Sequence, residues 1–305
     1  MNTGLLKGIL LVVAGAVSYA VLAIIVRFAY NEGYTTIEVI TSQYTLGLAV
    51  LGAVTLLKRK APGPAATPAG RYVRWQLAAG GVAYGLTGVC YYMAVKYIPV
   101  SICVVLLMQT IWMGIVLEAL LRRQFPGWGR CLAVLTVLAG TLLATNAIRN
   151  GHALDARGIA WGLAAAVTYT IMLFVSNRVA LNMSPYEKGC WTLAGATALV
   201  LLIGAGQFGG GFNVSIFWKW GLLLSLFGTI LPPVLFNTGM PKTGIGLGSI
   251  LISAEIPVSV SMAYLLLHET VLASQWLGIV LIITAIVLIN FNVLRKEFKT
   301  AASCS

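Results

Sequence analysis

The sequence predicts an all-α integral membrane protein of ten transmembrane helices. Three observations carry that expectation. Of 305 residues, 59% are hydrophobic and only 9% charged, where a soluble domain carries roughly 25% charged residues. Mean hydropathy is +0.91. Apolar segments close to the ~20 residues that a helix needs to cross the hydrocarbon core recur along the whole chain. So few polar groups cannot cover the surface of a soluble globule. Disordered, collagen-like and disulfide-stapled secreted classes are excluded. Continuous apolar runs also exclude a β-barrel, whose strands alternate.

The first span, 8–29, follows Lys7 and exceeds the 7–15 residues of a signal-peptide core, so it reads as a retained helix. The second, 37–57, stops at Lys58-Arg59-Lys60, and Pro62, Pro64 and Pro68 fill the loop that runs to 74. A tight turn near Pro99 separates the third span, 75–95, from the fourth, 99–121. Pro126-Gly127 precedes the fifth, 131–148, and Asn150-Gly151 the sixth, 158–178. The seventh, 189–207, ends before Gly209-Gly210-Gly211. The eighth, 217–239, and ninth, 246–267, are parted by a tight turn near Pro241, and the tenth covers 273–294. Nothing is left over for a soluble domain.

The net charge of +12 is a property of the loops. With the N-terminus inside, fifteen of the twenty Lys+Arg fall on the inner side, and the outer side holds only Arg27, Lys96, Arg149, Arg157 and Lys219. The positive-inside rule then places both termini in the cytoplasm, which an even number of helices satisfies. It also accounts for the charge without a nucleic-acid partner. Cys90, Cys103, Cys131, Cys190 and Cys304 show no CxxC spacing and read as packing residues. No cofactor or metal is expected and no enzyme. His268-Glu269-Thr270-Val271-Leu272 begins like HExxH but has Leu where the second His must stand. No GxxxxGK[ST] loop offers ATP drive.

The chain also repeats itself. Shifted by 150, Lys7-Gly8-Ile9 meets Arg157-Gly158-Ile159, and Ala16-Val17-Ser18-Tyr19 meets Ala166-Val167-Thr168-Tyr169. Shifted by 146, Lys96 meets Lys242 and Gln109 meets Glu255. Two five-helix halves follow, 1–150 and 151–305. An odd number of helices per half inverts the second half in the membrane, the arrangement of secondary transporters whose site lies between the halves.

These features are joined by Glu255-Ile256-Pro257, Leu265-Leu266-Leu267-His268-Glu269 and Leu277-Gly278-Ile279-Val280. The whole resembles the drug/metabolite transporter superfamily in its EamA branch. His268 stands where the turn glycine is usual, and Arg122-Arg123 replaces that turn in the first half. Within the branch the chain is most similar to amino-acid exporters of the aromatic, YddG type. The resemblance implies a basket of ten helices around a central cavity lined by helices 1, 3, 4, 6, 8 and 9.

Ionisable groups at membrane depth are functional candidates by default. Glu255 is the acid nearest the middle of an expected helix, and Pro257 follows it. It contacts a substrate amine, carries a proton, or is a protonated acid bonded between helices. Gln109 suits a zwitterion but serves equally as interhelical glue. Trp112 lies on its face. Tyr19, Tyr84, Tyr91, Trp161, Tyr169 and Asn237 complete the expected substrate lining, with packing or an interfacial belt as the alternative for each aromatic. Pro232, Pro233 and Pro257 are candidate hinges or kinks. Glu38, Gln43 and Arg27 lie toward the outer side as a mouth, an ion pair or snorkelling groups. The expected function is export of aromatic and other small amino acids by alternating access, as a monomer in a bacterial inner membrane. Export of lipophilic cations is the alternative, and a channel or scaffold subunit the reading from another class.

Overall fold

The structure is a computed structural model and describes residues 3–59, 71–123, 128–144, 155–179, 183–206 and 211–284. The expected breaks at Pro126-Gly127, Asn150-Gly151 and Gly209-Gly210 lie outside these residues, as do 60–70 and the ends of the fifth and tenth spans. Every regular element among the described residues is helical. In order they are α1 (Thr3–Asn31), α2 (Thr36–Arg59), α3 (Arg71–Tyr97), α4 (Val100–Leu107), α5 (Thr110–Arg122), α6 (Trp128–Ala144), α7 (Ala156–Arg178) and α8 (Pro185–Gly204). A helical stretch follows in which π turns, Phe217–Gly221 and Leu226–Ile230, flank α9 (Leu222–Ser225) and lead into α10 (Leu231–Ile252). The last elements are α11 (Glu255–Leu267) and α12 (Ala273–Thr284).

Among the described residues, six stretches are long and apolar enough to cross a membrane: Gly4–Asn31, Thr36–Leu57, Tyr72–Tyr97, Val100–Leu121, Ala156–Val175 and Phe217–Phe236. Val134–Ala144, Glu255–Leu267 and Ala273–Thr284 are shorter apolar helices.

The turn near Pro99 is present between α3 and α4. Near Pro241 the structure differs from expectation, because α10 runs through it and the break falls at Ser253-Ala254. A proline removes one helical donor but keeps a helical φ, so it need not end a helix. A second break lies at Met108-Gln109, between α4 and α5. The two breaks share one construction. Gln109 N–H donates to Leu106 O and Ile111 N–H to Met108 O; Ala254 N–H donates to Leu251 O and Ile256 N–H to Ser253 O. These are tightened, i→i−3 turns. Each is followed by a helix of 13 residues that ends on a left-handed residue, Arg123 at φ 50° and His268 at φ 54°. The correspondence is a shift of 145, one less than the sequence alignment gives, because apolar helices slide past one another with little loss of similarity.

α1 packs antiparallel along the 217–242 stretch. Gly8 faces Lys242, Gly15 faces Phe236, and Glu32 meets Lys219. α3 packs on α8 through small residues. A Cβ on Gly81 would stand 2.0 Å from Thr192 O, and one on Gly195 1.9 Å from Ala78 O. The backbones touch there and only glycine fits.

The end of the bundle carrying the α1–α2 connection is closely tied. Gly33, at φ 89°, ends α1: its N–H donates to Tyr30 O, and that of Tyr34 to Ala29 O. Thr35 and Glu38 form a reciprocal capping box at the start of α2. This rigid connection grips the segment before Phe217. Asn213 N–H donates to Glu38 Oε1 at 2.6 Å, and the Tyr34 and Ser215 hydroxyls are 2.6 Å apart. Glu32 Oε2 accepts from Trp220 Nε1 and pairs with Lys219 Nζ, both at 2.8 Å. The exposed Glu32 carboxyl is held below the usual carboxylate range by these two donors, chiefly Lys219.

Candidate functional site

The candidate site is a cavity with about 540 Å³ of empty space. Its wall is Tyr19 and Leu22 of α1, Gln43 and Tyr44 of α2, Tyr84, Thr87, Gly88, Tyr91 and Tyr92 of α3, Leu107 of α4, Tyr169 of α7 and Glu255 of α11. Leu107 closes α4 and Glu255 opens α11, so both helix breaks deliver a residue to the wall. α3 supplies five residues because positions 84, 87, 88, 91 and 92 repeat at helical spacing on one face.

The eighth-span prolines explain part of this wall. Pro232 and Pro233 have no N–H to offer the preceding turn. The freed carbonyls are taken by hydroxyls from other helices. Ser18 Oγ donates to Phe227 O at 2.9 Å, and the Tyr84 hydroxyl to Gly228 O at 3.2 Å. Both carbonyls lie in the π turn Leu226–Ile230. The kink expected at Pro232-Pro233 is thus an adjacent π turn braced by α1 and α3. Pro257 bends no helix. It is the third residue of α11, where its missing donor has no helical partner to lose.

Glu255 is buried, at 6% exposure. No cation and no hydrogen-bond donor pairs with its carboxyl among the described residues. Tyr44 meets Tyr84 edge-on at 5.4 Å, and Tyr91 and Tyr92 lie 6.1 Å apart. Thr87 donates to Thr168 at 3.0 Å, joining α3 to α7. The result is one acid among six tyrosine rings, with no Lys, Arg or His on the wall.

Of the residues expected from the sequence, Tyr19, Tyr84, Tyr91, Tyr169 and Glu255 lie on this wall. Gln109 does not. Its Nε2 donates to Thr141 Oγ1 at 2.6 Å and to Val105 O, and its Oε1 accepts from Trp112 Nε1 at 2.8 Å. These bonds join the break between α4 and α5 to α6, with Trp112 part of the same tie. Trp161 packs half-buried against the core and is not part of the wall. The side chain of Asn237 lies outside the described residues. Sequence reasoning missed Tyr44, Thr87 and Tyr92 and set Gln43 toward the outer side. The available signal was the polar run Thr41-Ser42-Gln43-Tyr44-Thr45 within an apolar span. Arg27 donates to Val95 O, and no ion pair involves it among the described residues.

The sequence profile of the EamA-like transporter family matches residues 6–146 and, separately, residues 156–291. The chain belongs to the EamA-like transporter family. That family is one of multi-pass membrane transporters. The chain is 29% identical over 184 residues to the "Uncharacterized inner membrane transporter YicL" of Salmonella typhimurium. That match covers 58% of this chain and 60% of the relative's length. A solved crystal structure shares the EamA chain's fold with a TM-score of 0.63 and 15% identity, over 94% of this chain and 97% of the other.

Proposed function

We propose that the chain exports small ammonium-bearing solutes, amino acids foremost, from the bacterial cytoplasm by alternating access. The observation that carries this reading is the unpaired Glu255 among tyrosines on the cavity wall. An acid buried without a partner is costly, and a bound ammonium relieves that cost while the rings add cation–π attraction. Ten crossings in two inverted halves, 1–150 and 151–305, with both termini inside, remain the proposed topology. The double profile match and the twin helix breaks 145 residues apart support it. The relative named as an inner membrane transporter supports an inner-membrane location. A pseudo-dimer of this kind works as a monomer.

Lipophilic cations are the second reading, favoured by the wall's lack of Lys, Arg and His. Proteoliposomes preloaded with unlabelled solute and offered labelled threonine, methionine, phenylalanine, lysine or tetraphenylphosphonium separate the two. Saturable counterflow of an amino acid is the expected result. Counterflow of tetraphenylphosphonium alone moves the assignment to the second reading. Flux without counterflow indicates a channel, and no flux at all, beside a working control carrier, overturns both.

A further inference from the structure

The family resemblance leaves the second helix out of the cavity lining, yet α2 places Gln43 on the wall. The residue is 2% exposed. The Tyr92 hydroxyl donates to Oε1, so the amide oxygen is occupied. Nε2 has no acceptor among the described residues. Gly228 stands against it, and a Cβ there would lie 2.2 Å from Nε2. Only glycine leaves the amide room at this point of the π turn.

Gln43 is also the one side-chain nitrogen on the wall. Several hydroxyls around it are committed elsewhere. Tyr44 donates to Tyr84 O, Tyr84 to Gly228 O, and Thr87 to Ala83 O and Thr168. Beside the hydroxyls of Tyr19, Tyr91 and Tyr169, the cavity therefore offers two polar groups of opposite character. Glu255 accepts and carries a proton-seeking or cation-seeking charge; Gln43 donates and carries none. A donor without an acceptor in a mostly apolar cavity is costly, so the open amide is poised for a ligand oxygen.

We propose that Gln43 is a specificity-determining residue that reads the acceptor end of the substrate, donating from Nε2 to a carboxylate or carbonyl oxygen while Glu255 holds the ammonium. This rests on the function proposed above. It assigns the substrate class as solutes bearing both an ammonium and an oxygen acceptor, of which α-amino acids are the simplest. A neutral amide suits this role because it binds a carboxylate without placing a fixed cation beside a bound ammonium.

Phenylalanine and phenethylamine form the test pair, since they share the ring and the amine and differ in the carboxylate. Gln43→Glu keeps the side chain's size and an oxygen acceptor for Tyr92, but replaces the donor with an anionic oxygen. Counterflow of phenylalanine by this variant should fall at least tenfold, with its half-saturation concentration raised, while phenethylamine, which has no carboxylate to be repelled, is retained or transported better. Tyr92→Phe frees the amide to rotate and should give a smaller loss, again confined to phenylalanine. Equal losses for both solutes, or no loss for either, overturn the assignment and make Gln43 structural. Wild-type counterflow of phenethylamine without phenylalanine overturns it too, while leaving a cation transporter. Wild-type counterflow of neither solute, nor of threonine, methionine or lysine, overturns the function proposed above and this assignment with it.

Discussion

Tyr84 shows how one side chain serves two purposes. Its ring forms cavity wall, and its hydroxyl satisfies Gly228 O, a carbonyl that Pro232 leaves without a helical donor. Tyr84→Phe keeps the ring and orphans that carbonyl. The variant should lose about 1 kcal/mol of stability, the usual scale for one hydrogen bond. Thermal unfolding in detergent measures it, and an unchanged midpoint would mean that the bond contributes nothing. Ser18→Ala should behave alike through Phe227 O. Tyr84 and Tyr91 were legible in the sequence because seven-residue spacing on a helix is a local property. Gln43 and Gln109 were not. Which way each side chain turns depends on the rotation of its helix against distant neighbours, Tyr92 and Gly228 for one and Thr141 for the other.

Helices end here at positions where glycine is the favoured residue and another stands. His268, at φ 54°, closes α11, and Arg123, at φ 50°, closes α5. The left-handed region costs a non-glycine residue roughly 1 kcal/mol. His268→Gly should therefore raise stability by about that amount, visible as a higher unfolding midpoint; a lower one would mean that the imidazole makes a stabilising contact. The next residue, Glu269, reaches across to the start of α4, where it accepts from Val100 N–H at 2.8 Å and from the Ser101 hydroxyl at 2.8 Å. Glu269→Ala should cost about 1–2 kcal/mol, the range for a lost helix cap. Glu269→Gln should recover part of it, because an amide oxygen still accepts. Most helices were legible as apolar runs, since hydropathy needs no tertiary information. The breaks at Met108-Gln109 and Ser253-Ala254 were not, because neither pair contains glycine or proline. Pro241, which does carry a breaker, lies inside α10.

Across the whole molecule, a polar seam between the first and second halves of the chain joins the α1–α2 connection to the 213–220 segment. Tyr34 to Ser215, Glu38 to Asn213, and Glu32 to Lys219 and Trp220 are its ties. The proposed alternating access requires this seam to part. With the five native cysteines replaced, a cleavable bifunctional thiol reagent joining Tyr34→Cys to Ser215→Cys should arrest transport, and cleavage should restore it. Continued transport by the joined protein would show that the seam stays closed through the cycle. The Glu32 tie has its own pH signature. Its carboxyl is held below the usual value in the folded protein, so the tie is intact above the ordinary carboxylate range and is lost as pH falls through the lowered value. Being exposed, it should also weaken with salt. The ring-lined cavity, in contrast, depends on a single charge. The most direct measurement is counterflow by Glu255→Gln in proteoliposomes, beside wild type with matched folding and reconstitution. Removing the one acid on the wall should abolish saturable counterflow of every ammonium-bearing substrate. Counterflow at the wild-type rate and half-saturation would contradict the account and make Glu255 a structural acid.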